Sequence, residues 1–438
     1  MKSEGGSVAS GEARPGRGRS MLAVALLAST LAIAAVSLPY LRSSGRTRSA
    51  ARLAREAVAA RRGDEARRLV DRWADLAPQS GEPDYYRALL EVQADRPAEA
   101  LDALRRSLAR GYPEEPLMIL RAVLLARSGR LDQAEPILAR AFDNASEPRA
   151  EVAEGLSRIY LKTFRLAEAI RVLDAWGKAA PDDPRPYLRR NEVDERTEAG
   201  ADAMIRNYRE ALRRDPGLIE APLGLAEKLL EASRFDEAEV EFAAILGRDP
   251  RSIRGLVGAG RVAMLRGDIE ASTRHYEDAL ALDPREKVAL RELGMIELKG
   301  GQISRARSRL KAAVEVAPYD PEVRYSYSVA LKLSGDEARA AEESAASDRL
   351  KKENRRMNEI RQDLARRPDD VELRSEAVRW LIEHGHEKEG LEWAELILRK
   401  RPGHPPTCRY LADYHASRGE HGLANYYRAA SASAATDK

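Results

Sequence analysis

A single cysteine, Cys408, stands in 438 residues. The chain can therefore close no disulfide within itself, and neither a multi-cysteine zinc site nor a CxxCH haem attachment exists. Aromatic side chains are scarce, at 5%. Ala, Leu, Arg and Glu dominate instead, a mixture that favours helix over sheet. Neither sign of charge prevails: 74 basic and 71 acidic side chains leave a formal net charge of +3. So even a balance argues against a nucleic-acid partner, which would call for a concentrated basic face. Gly-x-Ser-x-Gly, His-Glu-x-x-His and Walker sequences are all missing. The run Gly255-Leu-Val-Gly258-Ala-Gly260 follows no strand and falls inside a helical segment, so it reads as packing rather than a phosphate loop. Asn144-Ala-Ser146 matches a glycosylation sequon, which nothing else in the chain supports.

Five of the six histidines fall between His384 and His421, with Cys408 among them. His384, His386 and His421 sit at turn positions of the register described below. Cys408 and His415 are one heptad apart on one helix. Ligands spread a repeat apart have no fixed tetrahedral spacing. They are expected to be core or surface residues, with no metal and no other cofactor. A metal-dependent enzyme built on this cluster is the remote alternative.

The first twenty residues, rich in Gly, Ser and Arg, form a basic tail with no apolar periodicity, expected to be disordered. Met21 to Leu38 then carries no charge and is closed by Pro39. As a helix it would be about 27 Å long, close to a bilayer core of about 30 Å. The expected reading of 21–41 is a single transmembrane helix. Ala32-Ile33-Ala34 leaves a cleaved signal peptide as the alternative. Arginines flank both ends, so orientation is weakly set, with a slight preference for repeats outside the cytoplasm. A single-pass protein of the bacterial inner membrane is the expected localisation.

What fills the rest is periodic. Pro216, Pro250, Pro284 and Pro318 stand 34 residues apart, as do Pro368 and Pro402. Upstream, Pro78, Pro113, Pro148, Pro181 and Pro216 are spaced by 35, 35, 33 and 35. Within the period, Leu225, Ala226, Ala238 and Phe242 are followed in the next unit by Gly260, Gly267, Tyr276, Ala279 and Leu280. The unit after that has Leu293, Gly294, Gly301, Ala306 and Ala313. Small residues such as Gly260, Gly294 and Ala238 let helices approach closely, and Phe242 and Tyr276 fill the space beside them. Gly267, Gly301, Gly335, Gly385 and Gly419 fall in turns that need positive φ. The proline after each second helix ends it.

This 34-residue pattern resembles the tetratricopeptide repeat (TPR). The resemblance covers about nine tenths of the chain, although the consensus tryptophan is missing throughout. It implies an all-α fold: a right-handed α-solenoid of about eleven helix hairpins over 42–438, preceded by the one transmembrane helix. One unit is longer, at 319–368, because 16 extra residues separate Pro318 from Pro368. Asp336 to Arg367 reads as helix almost without a break, with Leu350, Met357 and Leu364 recurring at seven. Helix B of that unit is expected to be extended, or split near Ser347. It is either a tolerated elongation or a protruding ridge for partners or dimers.

In this family the first helix of each hairpin lines a concave groove that takes peptides. Projecting the groove positions onto this chain nominates Arg158, Arg189, Arg254, Arg261, Arg291, Tyr325 and Arg379. Arginines there could pair with carboxylates and Tyr325 could offer a flat contact. Glu151, Glu154, Glu220 and Glu227 share the face. The Lys/Asn set of chaperone-binding carboxylate clamps is absent. The expected function is a non-enzymatic scaffold binding proteins or peptides at a membrane, with no small-molecule substrate. The alternative is an accessory subunit of cell-envelope assembly or polysaccharide export.

Overall fold

The structure, a computed structural model, describes residues 45–145, 149–197 and 199–436. The tail 1–20, the apolar segment 21–41, Ser146 of the sequon and Pro148 lie outside them. Among the described residues there are helices and turns and no strand, and no helix is long and apolar enough to cross a membrane. Contacts gather into two units, one up to Leu124 and one from Leu125 onward.

The first unit holds α1 (45–59), α2 (Gly63–Leu76), α3 (Glu82–Gln93), α4 (Pro97–Ala109) and most of α5 (Glu114–Arg127). Ala54, Ala57, Ala66 and Ala100 are fully buried and let its helices approach. A fully buried carboxylate, Asp84, is held by Arg87, Arg106 and Arg110. A buried charge needs such partners to be tolerated.

The second unit continues with α6 (Leu131–Asp143), α7 (Ala150–Lys162), α8 (Leu166–Ala179), α9 (Arg185–Thr197), α10 (Ala201–Arg214), α11 (Glu220–Glu231), α12 (Phe235–Arg248), α13 (Ile253–Leu265), α14 (Ile269–Leu282), α15 (Lys287–Lys299), α16 (Ile303–Val316), α17 (Pro321–Leu333), α18 (Glu337–Arg366), α19 (Val371–Glu383), α20 (Glu387–Lys400), α21 (Pro405–Ser417) and α22 (His421–Thr436). Odd-numbered helices open each hairpin and even-numbered ones close it. Asp268, Asp320, Asp336 and Asp370 cap helix N-termini through their carboxylates. The hairpins are knit by residues without side chains. A Cβ on Gly258 would lie 2.1 Å from the Phe242 ring, one on Gly260 2.7 Å from Tyr276, and one on Gly294 2.6 Å from Leu310. Phe242, Tyr276 and Leu310 are correspondingly buried, each stabilising the array by about 1.5–3 kcal/mol.

First helices of neighbouring hairpins touch directly: α7 with α9, α11 with α13, α15 with α17, α19 with α21. Among the described residues no pair of second helices approaches as closely. The first helices therefore lie on the inside of the curve within this unit. Gly267, Gly301, Gly335, Gly385 and Gly419 take the positive φ that their turns need, between +73° and +84°. In the α7–α8 turn the same position is held by Phe164, at φ +61°. A non-glycine residue there costs about 1–3 kcal/mol.

Helix α18 runs 30 residues without a break; there is no second helix at Ser347, whose buried hydroxyl donates to the Pro321 carbonyl at 2.7 Å. Its extension is not a free ridge either. Met357, Ile360 and Leu364 are buried in a cluster with Ala377, Val378, Leu381, Trp393, Ile397 and Phe164. The array thus meets itself. Phe164 packs edge-on against Trp393, with ring centroids 5.1 Å apart. Lys162 pairs with Glu392 at 2.7 Å, and Arg399 reaches the Gly129 carbonyl at 3.1 Å and Asp132 at 2.8 Å.

Candidate protein-binding groove

The inner face is built from first helices, so the groove residues are those helices' outward positions. Arg158 on α7 is half-buried and has no hydrogen bond or ion pair among the described residues. Burial pushes its pKa down, and the like charges of Arg189 and Arg127 push the same way. Arg189, on α9, is tied to Glu192, and nearby Arg185 bridges Glu154 at 2.6 Å and Asp183. The structure therefore brings Arg158 and Arg189 into one electrostatic cluster with acids interleaved.

The other nominated residues are spread along the array. Arg254 grips both carboxylate oxygens of Glu227, at 2.8 and 2.9 Å. Arg261 is exposed. Arg291 pairs with its neighbour Glu292; burial pushes its pKa down, but Glu292 together with Asp320 and Glu322 raises it. Tyr325 is 49% exposed, with the Lys351 ammonium 5.1 Å above its ring. Arg379 is tied to Glu383 at 2.9 Å. Most of these guanidiniums already hold a carboxylate, so a ligand would have to exchange partners with them; among the described residues Arg158 and the exposed Arg261 hold none, and half-buried Arg158 has the more to gain.

An unforeseen feature lies beside Arg254. A depression of about 590 Å³ opens among Leu188, Tyr208, Leu218, Ile219, Gly224 and Arg254. Gly224 makes room for Tyr208, whose ring would lie 2.4 Å from an added Cβ. Ile219, just before α11, is 90% exposed. The signal was available: a β-branched apolar residue in a linker, with no helix face to bury it.

The histidine cluster resolves into separate contacts. His384 stacks on Trp380 at 4.4 Å and bonds Glu353 at 3.0 Å. His404 bonds Thr407 and Glu372, and His415 bonds Glu420. The Cys408 thiol is fully buried, which pushes its pKa up. Among the described residues no three His, Cys, Asp or Glu side chains converge as metal ligands.

Family profiles described as tetratricopeptide repeat match residues 125–189 and 198–257. A second profile of the same description matches 257–321 and 291–349. The chain carries tetratricopeptide repeats. The TPR array is similar to cellulose synthase operon protein C of Pseudomonas fluorescens (strain SBW25), with 24% identity over 375 residues, 73% of this chain and 29% of that protein. It is also similar to cellulose synthase 1 operon protein C of Komagataeibacter xylinus, with 29% identity over 240 residues, 49% of this chain and 17% of that protein. The chain thus spans less than a third of either relative's length. Among solved structures, PilW, a type IV pilus biogenesis factor, overlays 44% of this chain and 90% of its own at 19% identity and a TM-score of 0.39.

Proposed function

We propose that this TPR protein is a non-catalytic scaffold whose inner face binds extended segments of other proteins, in the service of envelope assembly or polysaccharide export. The observation that carries the reading is the inner face itself. Successive first helices present an unpaired Arg158 and an exposed Tyr325, with the Ile219–Arg254 depression between them. Such a face offers a side-chain pocket beside charge partners, as extended peptides need. The envelope setting rests on the two relatives named for a cellulose synthase operon. Residues 21–41 would anchor the array, with the repeats outside the cytoplasm.

The test places a photo-crosslinking residue at Arg158, Ile219 or Tyr325, and for comparison at Glu277 on α14. Discrete protein adducts from the inner positions and none from Glu277 support the reading. Equal labelling from both faces, or none, removes it. Protease treatment of intact cells and spheroplasts, followed through a C-terminal tag, tests the side of the membrane: a protected tag in spheroplasts would put the repeats in the cytoplasm.

A further inference from the structure

We propose that Phe164 is the pin of a reversible, salt-sensitive latch that locks one turn of the repeat array against its own later hairpins. The first observation is backbone geometry. At the strongly positive φ of the inter-helix turn, most hairpins put glycine and three put a polar residue, Arg61, Asp95 or Ser233; the α7–α8 turn puts a phenylalanine there, at +61°. Its side chain is 3% exposed because it enters the cluster of α18, α19 and α20, more than 190 positions along the chain.

The second observation is the socket. Arg374 is 6% exposed, and among the described residues no carboxylate lies within ion-pair distance of it; Asp369 acts on it only from farther off. It donates to the Pro368 carbonyl at 2.7 Å and, across the closure, to the Thr163 carbonyl at 3.3 Å. Its guanidinium lies over Phe164 and Trp393, and its Nη1 has no partner. Arg196 covers Phe164 from α9 and donates to the Leu161 carbonyl. The pin is therefore held between two cations, whose own needs the arriving turn partly meets.

The third observation is what surrounds the pin. Lys162–Glu392 and Arg399–Asp132 are partly exposed pairs, and salt screens such pairs. A cleft of about 380 Å³, lined by Lys162, Phe164, Arg196, Arg361, Glu389 and Trp393, keeps the seam from packing solidly. One apolar anchor in a polar seam beside an open cleft is the composition of interfaces that open and close. A permanently fused array would bury a continuous apolar face instead. The inference does not depend on which partner the groove takes.

The experiment uses the full-length chain with spin labels at Gln133→Cys and Lys388→Cys, both exposed; Cys408 is buried. Inter-label distances are measured from about 0.05 M to about 1 M salt. The wild-type background should show one short distance at low salt and a second, longer population at high salt. Phe164→Gly suits the turn's φ and removes only the pin. It should shift the main population to the longer distance at every salt, with helical circular dichroism unchanged. Lys162→Glu should open the array at lower salt, and adding Glu392→Lys should restore closure. A Phe164→Gly protein with wild-type distances and full helicity overturns the pin. A wild-type distance that never lengthens with salt overturns the reversible latch, whatever Phe164→Gly does.

Discussion

The α13–α14 and α7–α8 hairpins use the same turn in opposite ways. At Gly267 an added Cβ would meet nothing within 4 Å, yet φ is +81°; glycine is there for the backbone alone. At Phe164 the backbone is similar, but a large side chain is kept and buried among residues from far along the chain. Strained φ alone does not mark such a contact, since Arg61, Asp95 and Ser233 share it; a large apolar side chain at that position, buried far from its own repeat, does.

The comparison separates two kinds of glycine, and the largest expected effect comes from the packing kind. Gly258→Val would push a side chain into Phe242, already 2.1 Å from a bare Cβ. It should cost more than about 3 kcal/mol and expose α12 and α13 to hydrogen exchange before the rest, since repeats fail locally. Gly267→Ala, the conformational kind, should cost only about 1–2 kcal/mol. Equal losses at the two sites would mean that the close approach of α12 and α13 is wrong.

At position 164 glycine is the substitute and not the native residue. Phe164→Ala and Phe164→Gly both remove the pin, but alanine keeps the strained φ. The glycine variant should be the more stable of the two by about 1 kcal/mol in chemical denaturation. At 267 the same glycine-to-alanine comparison carries the same sign, although there glycine is the native residue. An alanine variant as stable as the glycine variant at 164 would remove the strain argument.

The hairpins were legible because most repeat one device: proline after the second helix, glycine in the turn, a small residue facing a large one. Gly260 against Tyr276 and Gly294 against Leu310 are contacts of that kind, and a periodic alignment exposes them. The groove was legible only as a face. Which arginines hold carboxylates, as Arg254 holds Glu227, depends on rotamers that no spacing encodes. The Phe164 socket was illegible for a further reason: it joins residues with no common period. The one sequence clue was a phenylalanine at a turn position that is otherwise glycine or, at Arg61, Asp95 and Ser233, polar.

Arg374 sharpens the comparison from the socket side. Arg374→Met keeps the stem's apolar contacts and removes a buried charge, which offsets much of the lost bonding. The Thr163 and Pro368 carbonyls lose their donor, about 1 kcal/mol each. Net stability should change by no more than about 1–2 kcal/mol. In a double-mutant cycle with Phe164→Gly the two changes should couple by about 0.5–3 kcal/mol, because the guanidinium lies over the Phe164 ring. Strict additivity would mean that the stack contributes nothing to closure.

The smallest effect is expected with acid, and it sets the α19–α22 region apart from the glycine-knit middle. The Lys400 ammonium holds the Asp369 pKa below its usual value; His404 and Arg401 do the same for Glu372, and His415 and Arg418 for Glu420. A carboxylate whose pKa is lower folded than unfolded contributes stability that is complete above the unfolded value. That stability is lost as pH falls through the folded value. The window therefore opens near pH 4, about where free carboxylates titrate, and extends below it. These groups are solvent-screened, so each contribution is small. Hydrogen exchange followed from about pH 6 to about pH 3 should show α19–α22, with three such carboxylates, loosening before α12–α16, which holds one, Glu237 beside Arg234, and is knit mainly by Phe242, Tyr276 and Leu310 against glycine. Uniform loosening would place the acid-sensitive carboxylates elsewhere in the array.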